Sequence, residues 1–136
     1  MSRKAFLTIT AVIAFAIGCF ALGLPSVLIT DVKVAAPSET ANVMARTVGI
    51  LLITIGVLDF LVRDHDDSPT MRAILIANLI LQFGIMPIDP SAYLSGVYRT
   101  LGSFVPNTIL HVLLASGFIY QLMQMRKNDR RRLATL

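Results

Sequence analysis

Residues 5–24 read AFLTITAVIAFAIGCFALGL, twenty positions without a charged side chain, closed by Pro25. At about 1.5 Å per residue, a helix of that length spans about 30 Å, the thickness of a bilayer's hydrocarbon core. A spanning strand needs only about 9–11 residues, and an open strand in lipid leaves its backbone groups unpaired, so length decides for a helix. Three further apolar segments follow, at about 39–62, 69–88 and 104–125, leaving 126–136 as a basic tail. Two of them carry start signals. Ser38 is a suitable N-cap, and Ser68-Pro69 sets a capping hydroxyl ahead of a proline suited to the first helical turn. The expected fold is all-α: one domain, a polytopic membrane protein built as a four-transmembrane-helix bundle.

Composition agrees with this reading. Of 136 residues, 55% are hydrophobic and 15% charged, with a mean hydropathy of +0.73. A soluble domain averages about 45–50% apolar and about 25% charged, and one small core cannot absorb the surplus. The net charge of +4 would suit nucleic acid only if it covered one face, whereas here it lies between apolar segments. Arg3, Lys4, Arg63, Arg72, Arg126, Lys127, Arg130, Arg131 and Arg132 flank one set of segment ends; only Lys33, Arg46 and Arg99 fall in or beside the first and third connections. Basic flanks are retained in the cytoplasm, so both termini are expected there, with the chain in the cell's inner (plasma) membrane.

Cys19 is the only cysteine, which excludes an internal disulfide and thiol-exchange chemistry through a CxxC pair. Ala16-Ile17-Gly18-Cys19 has the outline of a lipidation box, but that box prefers a larger aliphatic where Ala16 stands. The apolar run also continues past Cys19, so helix one is expected to be an uncleaved anchor.

In lipid the hydrophobic effect does not draw helices together; small residues that allow close backbone approach, and a few polar contacts, must do so. Ala11, Ala14, Gly18 and Ala21 form such a stripe on helix one. Arg46, Gly49, Ile53 and Gly56 repeat the spacing on helix two, and the two stripes are expected to face each other.

A charged group at the bilayer centre costs about 2.5–3.5 kcal/mol on insertion scales, so each one needs a reason. Arg46 either snorkels to lipid phosphates or turns inward as a clamp for a carboxylate, phosphate or carbonyl. Asn107 and His111 share a face of helix four, and Asn78 and Gln82 share one of helix three. With Arg46 these form a candidate polar cluster, serving either as a hydrogen-bond network between helices or as a ligand site. Asp59 is expected to pair locally with Arg63, four residues on. Asp64-His65-Asp66-Asp67 reads as a solvated turn rather than a metal site, and no metal centre, nucleophile triad or phosphate loop is expected. Haem lacks a pair of histidines on facing helices. The third connection, from Pro90 to Ser103, places Tyr93, Tyr98 and Arg99 at headgroup level and suits a short interfacial helix. The basic tail would attract anionic lipid by about 1 kcal/mol per cation near the surface.

From Met44 onward, Ala45-Arg46-x-x-Gly49, Gly56, Asp67-Ser68-Pro69 and Arg72-Ala73, with His111-Val112-Leu113-Leu114, resemble the DoxX-like set of small bacterial four-helix membrane proteins. The resemblance implies a four-helix bundle and, for some relatives, an accessory role beside quinone-linked oxidoreductases. Arg46 and Gly49 are the positions that match the group; no catalytic residue is carried across.

Two functions are thus expected to compete. One is a non-enzymatic accessory or scaffold subunit of a membrane assembly, partnered by lipids and by another protein or further copies of itself. The other is a protein, or small enzyme, holding a quinone or lipid at Arg46, Asn78, Gln82, Asn107 and His111. No cofactor is predicted from a motif, and nucleic acid is not an expected partner.

Overall fold

The computed structural model describes residues 1–134, with side chains through Arg131. Its principal helices are α1 (Arg3–Gly23), α2 (Glu39–Val62), α3 (Pro69–Ile85), the short α4 (Ile88–Leu94) and α5 (Val105–Ala134), and no strand occurs among the described residues. The fold is an all-α bundle. Four stretches are long and apolar enough to cross a membrane, of 21, 24, 26 and 31 residues, the third joining α3 to α4 and the fourth running from Leu101 to Arg131. Leu61, Ile80, Leu113 and Met123 each expose about two-thirds of their surface, an exterior suited to acyl chains rather than water.

Serine caps begin three of the helices. Ser2 accepts from the Ala5 amide at 3.2 Å, Ser38 from Ala41 at 3.5 Å and Ser68 from Met71 at 3.1 Å, with Pro69 in the first turn of α3. Each hydroxyl satisfies one of the amides that a helix start leaves without a partner.

The helices associate as two pairs, α1 chiefly with α2 and α3 chiefly with α5. The α1–α2 contact is made by glycine. A Cβ on Gly18 would lie 2.7 Å from the Gly49 carbonyl oxygen; one on Gly49, 2.8 Å from both the Gly18 oxygen and the Leu22 nitrogen; one on Gly56, 2.8 Å from the Ala11 oxygen. Backbone atoms cannot move aside as a side-chain tip can, so only glycine permits this approach. Ala11 and Ala21 are buried in the same seam, while Ala14 is half-buried. Between the pairs, at the end of the bundle that carries both termini, lies a core of Phe6, Leu7, Met71, Leu75, Phe118 and Met125. Phe6 meets Phe118 edge-on with ring centroids 4.8 Å apart, and a Cβ on Gly117 would collide with the Phe6 ring.

Helix limits differ from the sequence reading at two places. Helix three ends at Ile85 and bends at Met86-Pro87, because proline offers no amide to continue the ladder, before α4 resumes. The basic tail is not separate: α5 continues through it to Ala134. Arginine and lysine are good helix formers and sit well beside C-terminal carbonyls. Arg72 pairs with Asp129, and Asn128 donates to Asp67 at 3.0 Å, tying this extension to α3 and its preceding turn.

That turn is no merely solvated loop. Asp67 pairs with Arg3, which also donates to the His65 carbonyl, and Asp64 pairs with Lys4 at 2.7 Å and with Arg63 at 3.5 Å. The hydrogen bond from Lys4 holds the Asp64 carboxyl below its ordinary value. At the opposite end, the first connection forms one helical turn, Pro25–Val27, and a π turn, Leu28–Val32. It then reverses at Val34, which has φ +50°. A β-branched residue in the left-handed region costs about 1–3 kcal/mol and persists only where its surroundings hold it. Here it follows Lys33, whose side chain is held inside the bundle.

Candidate functional site

Polar side chains gather in the interior at two levels. At the end away from the termini, Asp89 on α4 is 6% exposed. Lys33 Nζ donates to its Oδ2 at 2.7 Å, Asn107 Nδ2 to the same oxygen at 2.7 Å, and the Tyr98 hydroxyl to Oδ1 at 3.2 Å. Lys33 also sits 5.1 Å from the centre of the Tyr98 ring, a distance at which the ring face attracts a cation. Burial, and then the charge and hydrogen bond of Asp89, push the Tyr98 hydroxyl up to about 12. One turn of α5 from Asn107, His111 Nδ1 meets Gln82 Oε1 at 2.6 Å. As the amide oxygen can only accept, that ring nitrogen carries the proton.

The second level lies nearer the termini. Asp59 on α2 is 1% exposed. Asn78 Nδ2 donates to its Oδ1 at 2.9 Å, and the Thr10 hydroxyl lies 3.0 Å from its Oδ2 and 3.0 Å from the Leu7 carbonyl oxygen. The expected Asp59–Arg63 pair is not formed. Asp59 points into the bundle, whereas Arg63 turns outward, donates to the Phe60 carbonyl at 2.8 Å and stacks 3.4 Å over the Phe60 ring. A carboxyl aimed at interior donors on α1 and α3 cannot also reach a cation at the helix edge. Asn78 and Gln82, four residues apart on α3, connect the two levels over about 6 Å of rise.

Of the five candidate residues, Gln82, Asn107 and His111 therefore come together, Asn78 serves Asp59 instead, and Arg46 stands apart. Arg46 is exposed on the outside of α2, because the glycine face beside it is turned into α1. The chain matches no protein-family model, no curated protein and no solved structure.

Two concavities open on the surface. One, of about 330 Å³, lies among Met1, Arg3, Asp67, Gln121 and Asn128 at the terminal end. The other, of about 360 Å³, is an apolar groove between α1 and α2, lined by Ala11, Val12, Phe15, Gly56, Val57 and Phe60 among others. Neither is lined by Gln82, Asn107 or His111.

Sequence reading missed Lys33, Asp89, Tyr98 and Thr10. The available signal was topological. Four crossings put the first and third connections at one end, so Lys33, Asp89 and Tyr98 had to share it; only the structure shows them paired.

Proposed function

We propose that this chain is a multi-pass protein of a bacterial inner membrane, with both termini in the cytoplasm, acting as a non-enzymatic accessory or scaffold subunit of a larger membrane assembly. One observation carries the reading: the side chains best suited to grip a ligand are occupied with one another. Gln82 holds His111, Asn107 and Lys33 hold Asp89, and neither concavity reaches them. Buried polar groups satisfied in this way fix helices in register. The placement of Lys and Arg supports the orientation, since Lys4, Arg63, Arg72 and the α5 extension share the terminal end of the bundle.

We carry the DoxX-like resemblance into the same reading. Ala45, Gly49 and Gly56 of that pattern are buried on α2, and both glycines sit where α2 meets α1. Arg46, the pattern's charged residue on α2, is turned outward, so we read the likeness as one of packing rather than of chemistry. Of the two concavities described, the apolar groove is the one that suits a quinone or lipid tail, and none of the five polar candidates lines it.

Native mass spectrometry of protein released in a mild detergent tests the proposal. Retained polypeptide partners, or further copies of the chain, are the expected result. A monomer carrying one small molecule in equal amount, lost in His111→Ala while the helices remain, overturns it in favour of a ligand-binding protein.

A further inference from the structure

Asp59 differs from Asp89 in how its charge is met. Asp89 has Lys33 beside it, whereas Asp59, equally enclosed, has no ion-pair partner among the described residues. Its side-chain hydrogen-bond partners are Thr10 of α1 and Asn78 of α3, and among the described residues no charged side chain of α1, α3 or α5 pairs with it. On its own helix, Arg63 is committed to Phe60 and Asp64. An ionised carboxylate taken from water without a counter-charge loses hydration that nothing replaces, and such groups neutralise by binding a proton.

Hydrogen-bond accounting gives the same answer independently. Thr10 Oγ1 is equally near the Leu7 carbonyl oxygen and Asp59 Oδ2, yet a hydroxyl has one proton and two lone pairs. If Oδ2 carries a proton, it donates to Thr10, Thr10 donates to Leu7, and the Asn78 amide donates to Oδ1. Every proton then has an acceptor. With Asp59 ionised, the single Thr10 proton would be divided between the Leu7 carbonyl and Oδ2, and the four lone-pair sites of the carboxylate would have two donors.

Among the described residues, a line of polar groups leads to this acid from the Asp89 end. Asn78, Gln82, His111, Asn107 and Asp89 follow one another by contacts or single helical turns, ending at Lys33 and Tyr98. On the terminal side the way is closed by Phe6, Leu7, Met71, Leu75 and Phe118.

We propose that Asp59 is a proton-binding site, a neutral carboxylic acid at neutral pH whose proton exchanges with the Asp89 end of the bundle along this line of polar groups. The binding step moves a single proton onto Oδ2 and nothing else.

Infrared spectroscopy of the full chain in lipid nanodiscs reads the site directly, since an undissociated acid has a carbonyl stretch that a carboxylate lacks. The expected band is present at neutral pH, absent in Asp59→Asn, retained in Asp89→Asn, and shifted downward when the sample is moved into D2O. Gln82→Leu is expected to slow that shift. If Asp59→Asn fails to fold, Thr10→Val assigns the band by displacing its frequency. A missing band means an ionised Asp59 and overturns the proposal. So does a band that sodium abolishes but choline does not, which would mark a carboxylate holding a metal cation. A band that never shifts in D2O, or exchange unchanged by Gln82→Leu, overturns the exchange path.

Discussion

Alanine at Gly49 tests the packing most sharply, because the added methyl meets only backbone atoms of α1, from two successive turns. Its Cβ would stand 2.8 Å from the Gly18 oxygen and the Leu22 nitrogen, about 0.6 Å short of the 3.4 Å at which ordinary contact begins. Neither atom belongs to a flexible side chain, so α1 and α2 must separate by roughly that amount along the seam. A gap of about 0.5–1 Å forfeits a quarter to a half of each dispersion contact, and overpacking of this kind costs about 1–3 kcal/mol. We expect Gly49→Ala to lose about 2 kcal/mol on that basis, with Gly18→Ala and Gly56→Ala similar. Gly84→Ala provides the control. Nothing lies within 4 Å of a Cβ there, and alanine is favoured over glycine in a helix by about 0.8–1.0 kcal/mol, so this variant should equal or exceed the parent. The assay is unfolding in mixed detergent micelles, followed by far-ultraviolet circular dichroism. A Gly49→Ala protein as stable as the parent, or a Gly84→Ala protein that falls as far as Gly49→Ala, would refute the close approach.

The same unfolding assay should separate the two members of the buried ion pair. Asp89→Ala strands Lys33, Asn107 and Tyr98 together and should cost about 3–5 kcal/mol, whereas Lys33→Ala leaves Asp89 two donors and should cost less; equal losses would contradict the arrangement. A double-mutant cycle on Gln82→Ala and His111→Ala should give a coupling of about 0.6 and at most about 1.7 kcal/mol, and zero coupling would mean the contact is not made. Arg46→Ala, on the exterior, should stay within about 0.5 kcal/mol of the parent; a larger loss would place its guanidinium inside. Tyr98 supplies a pH signature. With its hydroxyl raised from 10.0 to about 12, the protonated form is favoured by folding. The stability this contributes is full below pH 10 and is lost as pH rises toward 12. Phenolate absorbance should therefore show a late phase near pH 12, absent in Tyr98→Phe and shifted earlier in Asp89→Asn.

Sequence and structure agree most closely where a local rule applies. Apolar runs of twenty or more residues with at most three charged side chains leave few alternatives to a helix in lipid, so the fold class was legible from residues 5–24 and their three counterparts. Gly18, Gly49 and Gly56 could be singled out because small residues at helical spacing have a physical use in lipid. The site was harder to read because side-chain direction depends on helix rotation, which one sequence does not specify. Asp59 has a cation at i+4 and would satisfy the local rule by pairing with it, yet α2 is rotated by its glycine face so that the carboxyl enters the bundle. The same rotation turns Arg46 out. Lys33 lies in a connection and Asp89 just past the expected end of the third segment, where periodicity carries no information, and the bend at Met86-Pro87 ahead of α4 is set by proline chemistry whose direction the sequence leaves open.

The division into two helix pairs bears on how such a chain is made. All the glycine contacts of α1 with α2 lie within residues 1–62, so this hairpin can close as soon as it leaves the ribosome, before any later helix enters the membrane. Asp59 and Lys33 must then wait, one without Asn78 and the other without Asp89, until the second half of the polypeptide is inserted. Translation stalled between Val62 and Pro69 would leave a tightly paired hairpin in which Lys33 lacks its carboxylate and Asp59 is held by Thr10 alone, a marker by which quality control could tell a half-built product from a finished one.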